Sequence, residues 1–357
     1  MKAFHCSCGW RIFFENTACL GCKRALGFDP AKREMVSLEP ASDAPGLFVS
    51  IGKNPRQYRL CRNYHEQKLC NWVLPAEHPG EYCLACNLNE TITGLGDPKY
   101  RQGWANTEAA KRRLLYTLMK LRLPIISKHE DPKKGLAFAF LHDQRQDPDA
   151  EHEFVSTGHC NGLITVNLLE ADDAARESAR VEMNESYRTL LGHFRHESGH
   201  YYWQRLVADG DRLIAFREIF GDERRDYRQA LKDYYAAGPR NNWHTDYISG
   251  YARCHPWEDW SETWAHYLHM VDALETARTF GVAKSNPDHD ELDRCLTEWS
   301  AVTIMMNELN RSVGQYDAYP FVLSKPIMRK LDFVHEVVKA GRGGLRALRT
   351  GEQAGPA

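Results

Sequence analysis

The 357-residue sequence has no apolar run long enough to cross a membrane, and its first residues, MKAFHCSCGW, lack the apolar core of a signal peptide. A soluble, cytoplasmic protein with no membrane partner is expected. Excess charge of either sign is also missing. Forty-six basic and 48 acidic residues leave a formal net charge of -2, which gives no reason to expect a nucleic-acid partner. Cysteine is scarce beyond residue 90. Only Cys160, Cys254 and Cys295 lie there, scattered and odd in number, and they read as ordinary buried thiols. Internal repeats are absent apart from two four-cysteine clusters. What is present is a hydrophobic content of 43%, enough for a real core, over a length that suggests two or three domains.

The other eight cysteines fall in the first ninety residues, and in a cytosolic chain such crowding points to metal before disulfides. Cys6-x-Cys8 and Cys19-x2-Cys22 are two close pairs on either side of a strand-like run, Trp10 to Phe14. Four thiolates so placed make a zinc ribbon, although rubredoxin-type iron uses the same geometry. So short a segment cannot build a core alone, so the metal would contribute much of its folding energy. His5 is a spare ligand that four thiolates do not need. Cys61, Cys70, Cys83 and Cys86 form the second set, with Cys83-Leu-Ala-Cys86 a regular knuckle and His65 and His78 as fallback ligands.

The expected plan is a ribbon over 1–28, a proline-punctuated, loop-rich connection over 29–60, and a second four-cysteine module over 61–100. A helix-rich domain follows over 101–340, with a flexible tail over 341–357. Within the large domain a helix is expected over Thr107–Lys120 with Thr107 as its N-cap. Gly135–Leu141 and Gly162–Leu168 read as strands. Glu170, Asp172 and Asp173 read as an acidic helix start rather than a metal site. Tyr234–Pro239 reads as a helix ending in a Gly-Pro stop, and further helices are expected over Ala265–Thr279, Glu291–Val313 and Pro326–Ala340.

The chemistry concentrates in Leu190–Gln204, LLGHFRHESGHYYWQ, where His196-Glu197-Ser198-Gly199-His200 is an HExxH motif. On a helix, positions i and i+4 share a face, so His196 and His200 can converge on one ion. Glu197 is then beside that ion, placed to take a proton from water. The stretch contains no proline, and a glycine at 199 marks close approach by another backbone or a ligand. A catalytic zinc takes three protein ligands, so one more is needed. Glu258 and Glu262, four apart in Glu-Asp-Trp-Ser-Glu, are the candidates: one to bind, the other to accept a hydrogen bond from a ligand imidazole. His193 and His266 read as packing or supporting residues.

Tyr251-Ala-Arg-Cys-His-Pro-Trp-Glu258-Asp-Trp-Ser-Glu262 resembles the third-ligand region of gluzincin metallopeptidases. That resemblance implies Glu258 as ligand, Glu262 as the acid behind it and Tyr251 as a phenol facing the developing oxyanion. Thermolysin-type members carry an Asp where this chain has Glu262. GLITVNLLEADD, YRTLLGHFRHESGHYYW, HPWEDWSETWAHYLHM and YPFVLSKPIMRKLDFVHEVV, with the ribbon, resemble a bacterial family of zinc-binding metallopeptidases with an N-terminal zinc ribbon. The likeness covers nearly the whole chain. It implies an α+β protein: a mainly helical zincin-like domain with a small edge sheet, preceded by four-cysteine modules. The ligand sets lead to an expectation of one catalytic and two structural zinc ions, and the zinc-peptidase reading to a peptide or protein substrate. A protein partner docking through the ribbons is a further expectation. A second reading stays open on the residues alone, a non-catalytic ribbon protein on a degenerate peptidase scaffold. The intact Glu197 speaks against it, since a structural zinc has no need of that glutamate.

Overall fold

The computed structural model describes residues 1–342 except 43, 94–97, 143–154, 184 and 238–241. Most of the expected tail, and the expected Gly238-Pro239 helix stop, lie outside the described residues. The fold is α+β. A short hairpin, β1 (Phe4–His5) and β2 (Arg11–Ile12), opens the chain. An antiparallel five-stranded sheet follows: β3 (Ala25–Asp29), β4 (Glu34–Pro40), β5 (Phe48–Ser50), β6 (Gln57–Leu60) and β7 (Val73–Pro75). One-turn helices α1 (Arg62–His65) and α2 (Leu84–Asn87) start at Cys61 and Cys83.

The expected loop-rich connection is thus replaced by strands. Pro30 and Pro45 fall in the turns between strands, Pro55 precedes β6, and Pro40 ends β4, so the prolines punctuate hairpins rather than prevent them. The first and last strands of the meander also meet: the Phe28 amide donates to the Asn71 carbonyl over 2.8 Å. Both four-cysteine clusters therefore flank one sheet.

The second half begins with β8 (Asn89–Ile92) and α3 (Pro98–Lys120). The helix starts nine residues before the expected cap, with Pro98 in the first turn, where its missing N–H costs nothing. Thr107 is internal, and its hydroxyl donates back to the Gly103 carbonyl over 2.8 Å. Then come β9 (Ala137–Leu141), β10 (Gly158–Cys160) and β11 (Leu163–Asn167), forming a sheet of order β10-β11-β9-β8 with β10 antiparallel at its edge. The β10–β11 turn needs Asn161 and Gly162 at φ +47° and +87°.

The remaining helices are α4 (Asp173–Glu182), α5 (Leu190–Leu206), α6 (Arg212–Phe220), α7 (Tyr227–Ala237), α8 (Pro256–Thr279), α9 (Leu292–Ser312) and α10 (Lys325–Gly341). Asp172 caps α4, as its acidic start implied. α5 and α8 are the buried pair at the centre, with Phe194, Tyr201, Tyr202, Trp260 and Trp264 fully buried between and around them. Among the described residues no helix is long and apolar enough to cross a membrane. The ribbon half packs on α3: Phe14 and Phe28 lie 5.6 and 6.1 Å from Tyr116 between ring centroids, and Arg112 donates to the Leu69 carbonyl over 2.7 Å.

Candidate metal centre

Thr189 caps α5 through the Gly192 amide, setting the helix that carries the HExxH motif. His255 caps α8 through the Trp257 amide, with Pro256 next, and the two acids of the following turns then face α5. The helices meet at Gly199. A Cβ there would stand 2.9 Å from the Ser261 Cα, closer than real contacts permit. The glycine at 199 therefore admits the backbone of α8, as its position in the motif implied. Trp260 Nε1 donates to the Gly199 carbonyl over 2.8 Å, and Trp264 Nε1 donates to Ser198 Oγ over 3.1 Å, fixing the register of the seam.

This register brings the candidate ligands together. Glu258 Oε2 is 2.9 Å from His196 Nε2, and Glu258 Oε1 is 3.4 Å from His200 Nε2. Bonds of about 2.0–2.1 Å to one tetrahedral zinc separate its ligand atoms by about 3.3 Å, so the spacing fits an ion between them. Glu258 is 1% exposed, yet its Oε2 makes no hydrogen bond of acceptable geometry. A buried carboxylate oxygen left without a hydrogen cannot be neutral in cost, and a cation resolves it. Two imidazoles and a carboxylate are a donor set zinc accepts.

The imidazoles are oriented from behind. His196 Nδ1 lies 2.6 Å from Glu262 Oε1, and His200 Nδ1 lies 2.9 Å from Ser261 Oγ. The Glu262 carboxylate can only accept from His196 Nδ1, which turns that ring's Nε2 to the ion position, and Ser261 does the same for His200 when its hydroxyl accepts. Burial disfavours charge on His196, but Glu258 and Glu262 outweigh it and hold the imidazole well above its ordinary range, so an ion binding there must displace a proton from Nε2. Burial likewise pushes the Glu258 carboxyl up, and His200 and His196 more than offset it, leaving the group firmly ionised. Glu197, buried at 6% exposure, offers a carboxylate oxygen within 4.8 Å of the ligand nitrogens of His196 and His200. Tyr251 is close, its ring centroid 6.0 Å from that of His196.

His193 and His266 do not join the cluster. His193 Nε2 is 3.0 Å from Glu170 Oε2, and His266 Nδ1 is 3.3 Å from the Tyr319 hydroxyl, with burial pushing the His266 imidazole down to about 4. Three nearby groups were not found from sequence. Ser261, three residues after Glu258, could have been read from spacing. Tyr227 donates its phenol to Glu258 Oε1 over 2.7 Å. It lies 31 residues upstream, and no local pattern marks it. His159, on the edge strand β10, stacks on His200 with centroids 6.1 Å apart. Burial holds its imidazole down to about 3.

Both cysteine clusters converge, and all eleven cysteines are free of disulfides. Cys6 and Cys22 sulfurs are 3.5 Å apart, Cys8 and Cys19 3.7 Å, Cys70 and Cys83 3.6 Å. Zinc–sulfur bonds of about 2.3 Å in a tetrahedron give about 3.7 Å. Amides of Trp72 and Cys83 donate to the sulfurs of Cys70 and Cys61, each over 3.4 Å. The second cluster is wholly buried, whereas Cys8 of the first is exposed. His5 is exposed, and His78 Nδ1 accepts from the Gly80 amide.

Comparison with known proteins agrees with this donor set. A zinc-ribbon domain model matches residues 3–97, spanning both cysteine clusters as one unit. A family model described as "Putative zinc-binding metallo-peptidase" matches residues 100–337. Proteins of Mycobacterium bovis and of two Mycobacterium tuberculosis strains, each described as uncharacterized, are 42% identical over 353 residues, covering 95% of this chain and 95% of theirs. No solved structure matches. The chain thus belongs to this family of zinc-binding metallopeptidases and carries a zinc-ribbon domain ahead of the family domain.

Proposed function

We propose that the protein is a zinc-dependent peptide hydrolase of gluzincin type, with His196, His200 and Glu258 holding the catalytic ion. The observation that carries this reading is the buried Glu258 Oε2, which accepts no hydrogen bond and is set 2.9 Å from His196 Nε2, with Glu197 alongside. Bound there, zinc supplies an acidified water and a Lewis acid for the scissile carbonyl. The residues do the rest. Glu197 accepts the proton of the attacking water and returns it to the leaving amine. Glu262 and Ser261 keep both imidazoles in the tautomer that presents Nε2. Tyr251 offers a phenol donor to the oxyanion. The two four-cysteine clusters of the ribbon half would each hold a structural zinc ion on four thiolates.

An intact Glu197 within a complete ligand set supports a working site over a purely structural one. The test is Glu197→Gln, assayed by mass spectrometry on a mixture of unstructured peptides. The wild-type protein is expected to cut, and the variant to lose at least about a hundredfold in rate, the usual contribution of a positioned general base. Unchanged cleavage by the variant would sink the mechanism. Cleavage by neither, with zinc fully loaded, would sink the peptidase reading.

A further inference from the structure

The chemistry above leaves the Tyr227 hydroxyl without a task. Tyr227 opens α7, and its phenol donates to Glu258 Oε1 over 2.7 Å. Its ring stands edge-on to His255 and to Trp257, with centroids 5.2 and 6.0 Å away. Both partners belong to the start of the helix that carries Glu258. His255 Nε2 also lies 3.1 Å from the Arg225 carbonyl, so the turn before α7 is pinned to the cap of α8. The phenol is therefore held against Glu258 by contacts at both ends of a short circuit: ring on cap residue, backbone on cap imidazole.

A carboxylate ligand has two oxygens and a torsion that can exchange them. Here one oxygen, Oε1, accepts from Tyr227, and the other, Oε2, is left beside His196 Nε2 with no hydrogen bond. Glu262 and Ser261 orient the two imidazoles. The carboxylate needs a corresponding partner, and among the described residues Tyr227 is the side chain that donates a hydrogen bond to it.

We propose that Tyr227 is a positioning residue for the metal centre, which holds Glu258 by Oε1 and so presents Oε2 to the ion. The inference rests on Glu258 being a ligand. Partners of metal ligands typically carry ten- to a hundredfold in metal affinity, because a ligand free to rotate must be fixed when the ion binds. Tyr227 also makes α7 part of the centre. Among the described residues of α7 only Ala230 is a buried side chain, and ring contacts of Tyr227 with His255 and Trp257, which Tyr227→Phe keeps, also join α7 to the start of α8.

The experiment is a chelator competition on the full-length protein, following the zinc ion that His200→Ala removes. Tyr227→Phe keeps the ring between His255 and Trp257 and deletes only the oxygen. The affinity for that ion is expected to fall about ten- to a hundredfold, with both ribbon ions and the melting temperature of the zinc-depleted protein unchanged. The visible spectrum of the cobalt-substituted protein is expected to shift, since one ligand oxygen is no longer fixed. Tyr234→Phe, on the same helix but without a bond to Glu258, is expected to bind like wild type. Glu258→Gln separates the two layers of the inference. If it keeps the third ion at wild-type affinity, the ligand assignment fails. If it loses the ion while Tyr227→Phe binds as tightly as wild type with the same cobalt spectrum, the role of Tyr227 is overturned. An equal loss in Tyr234→Phe would overturn it as well, by assigning the effect to packing of α7.

Discussion

Replacing Gly199 by alanine sets two effects of known size against each other. In mid-helix, alanine is favoured over glycine by about 1 kcal/mol. Against this, the added Cβ would lie 2.9 Å from Ser261 Cα, 3.0 Å from its Oγ and 3.2 Å from its Cβ. Carbon atoms pack at about 3.5–4.0 Å, so the nearest contact is short by about 0.6 Å or more. That contact is backbone, which cannot rotate away. α8 must retreat, and overpacking of this kind costs about 1–3 kcal/mol. The net expectation is a loss of about 1 kcal/mol, or about 2–4 °C in melting temperature for a domain of this size. The same retreat carries Glu258 and Glu262 away from His196 and His200, so zinc affinity should fall more steeply than stability. Thermal unfolding with and without excess zinc, combined with chelator titration, reads both. Gly210→Ala is the control, since a Cβ there meets nothing within 4 Å. A Gly199→Ala protein that melts higher and binds zinc as tightly as wild type would refute the close seam on which the site geometry depends.

Two further outcomes follow from the structure. Burial pushes the Glu170 carboxyl up, but His193 and Arg188 more than offset it and hold it down to about 2, against 4.5 in an ordinary glutamate. The unfolded chain then binds the extra proton first, so the contribution is full above pH 4.5 and is lost as pH falls toward 2. Its ceiling is about 3 kcal/mol. Glu170→Gln should therefore destabilise at neutral pH by up to that amount and converge on wild type in acid, and a difference independent of pH would exclude the linkage. Elemental analysis should find about three zinc ions per chain, from three sets of protein ligands. The His/Glu site should yield to chelator first and the two four-thiolate sites after it, and retention of a zinc ion by a His196→Ala, His200→Ala double variant at the His/Glu site would contradict the ligand assignment.

What was legible in the sequence was local. α5 announces itself because His196 and His200 sit four residues apart, with Glu197 next to the first, in a proline-free, aromatic-rich run. Glu258 and Glu262 are legible for the same reason, as an i,i+4 pair behind a Pro-Trp helix start. Ser261, three residues after Glu258, was available too. The five-stranded sheet was hidden because its strands are only three to seven residues long and the prolines between them read as loop, although each strand pairs with its neighbour in sequence; only its closure, where Phe28 reaches Asn71, is long-range. Tyr227 and His159 were hidden likewise. Each meets the centre only because a distant segment folds back upon it, and a tyrosine or histidine alone carries no spacing to read. The early start of α3 at Pro98 shows a third kind of miss, in which Thr107 had the chemistry of a cap but the upstream turn was already helical.

The meeting of β3 with β7 has a consequence for how the ribbon half handles scarcity. Cys6 Sγ lies 3.3 Å from Ser37 Oγ on β4, and Cys61 begins where β6 ends, so each thiolate cluster is fastened to strands of one continuous ladder. An ion lost from either cluster would loosen the strands that shape the other site. The two sites should then fill together, each ion raising the affinity for its neighbour. A population short of zinc would divide into heads carrying two ions and heads carrying none, with few carrying one. The head would report metal supply as a threshold, while the His/Glu centre, built on α5 and α8, would fill on its own curve.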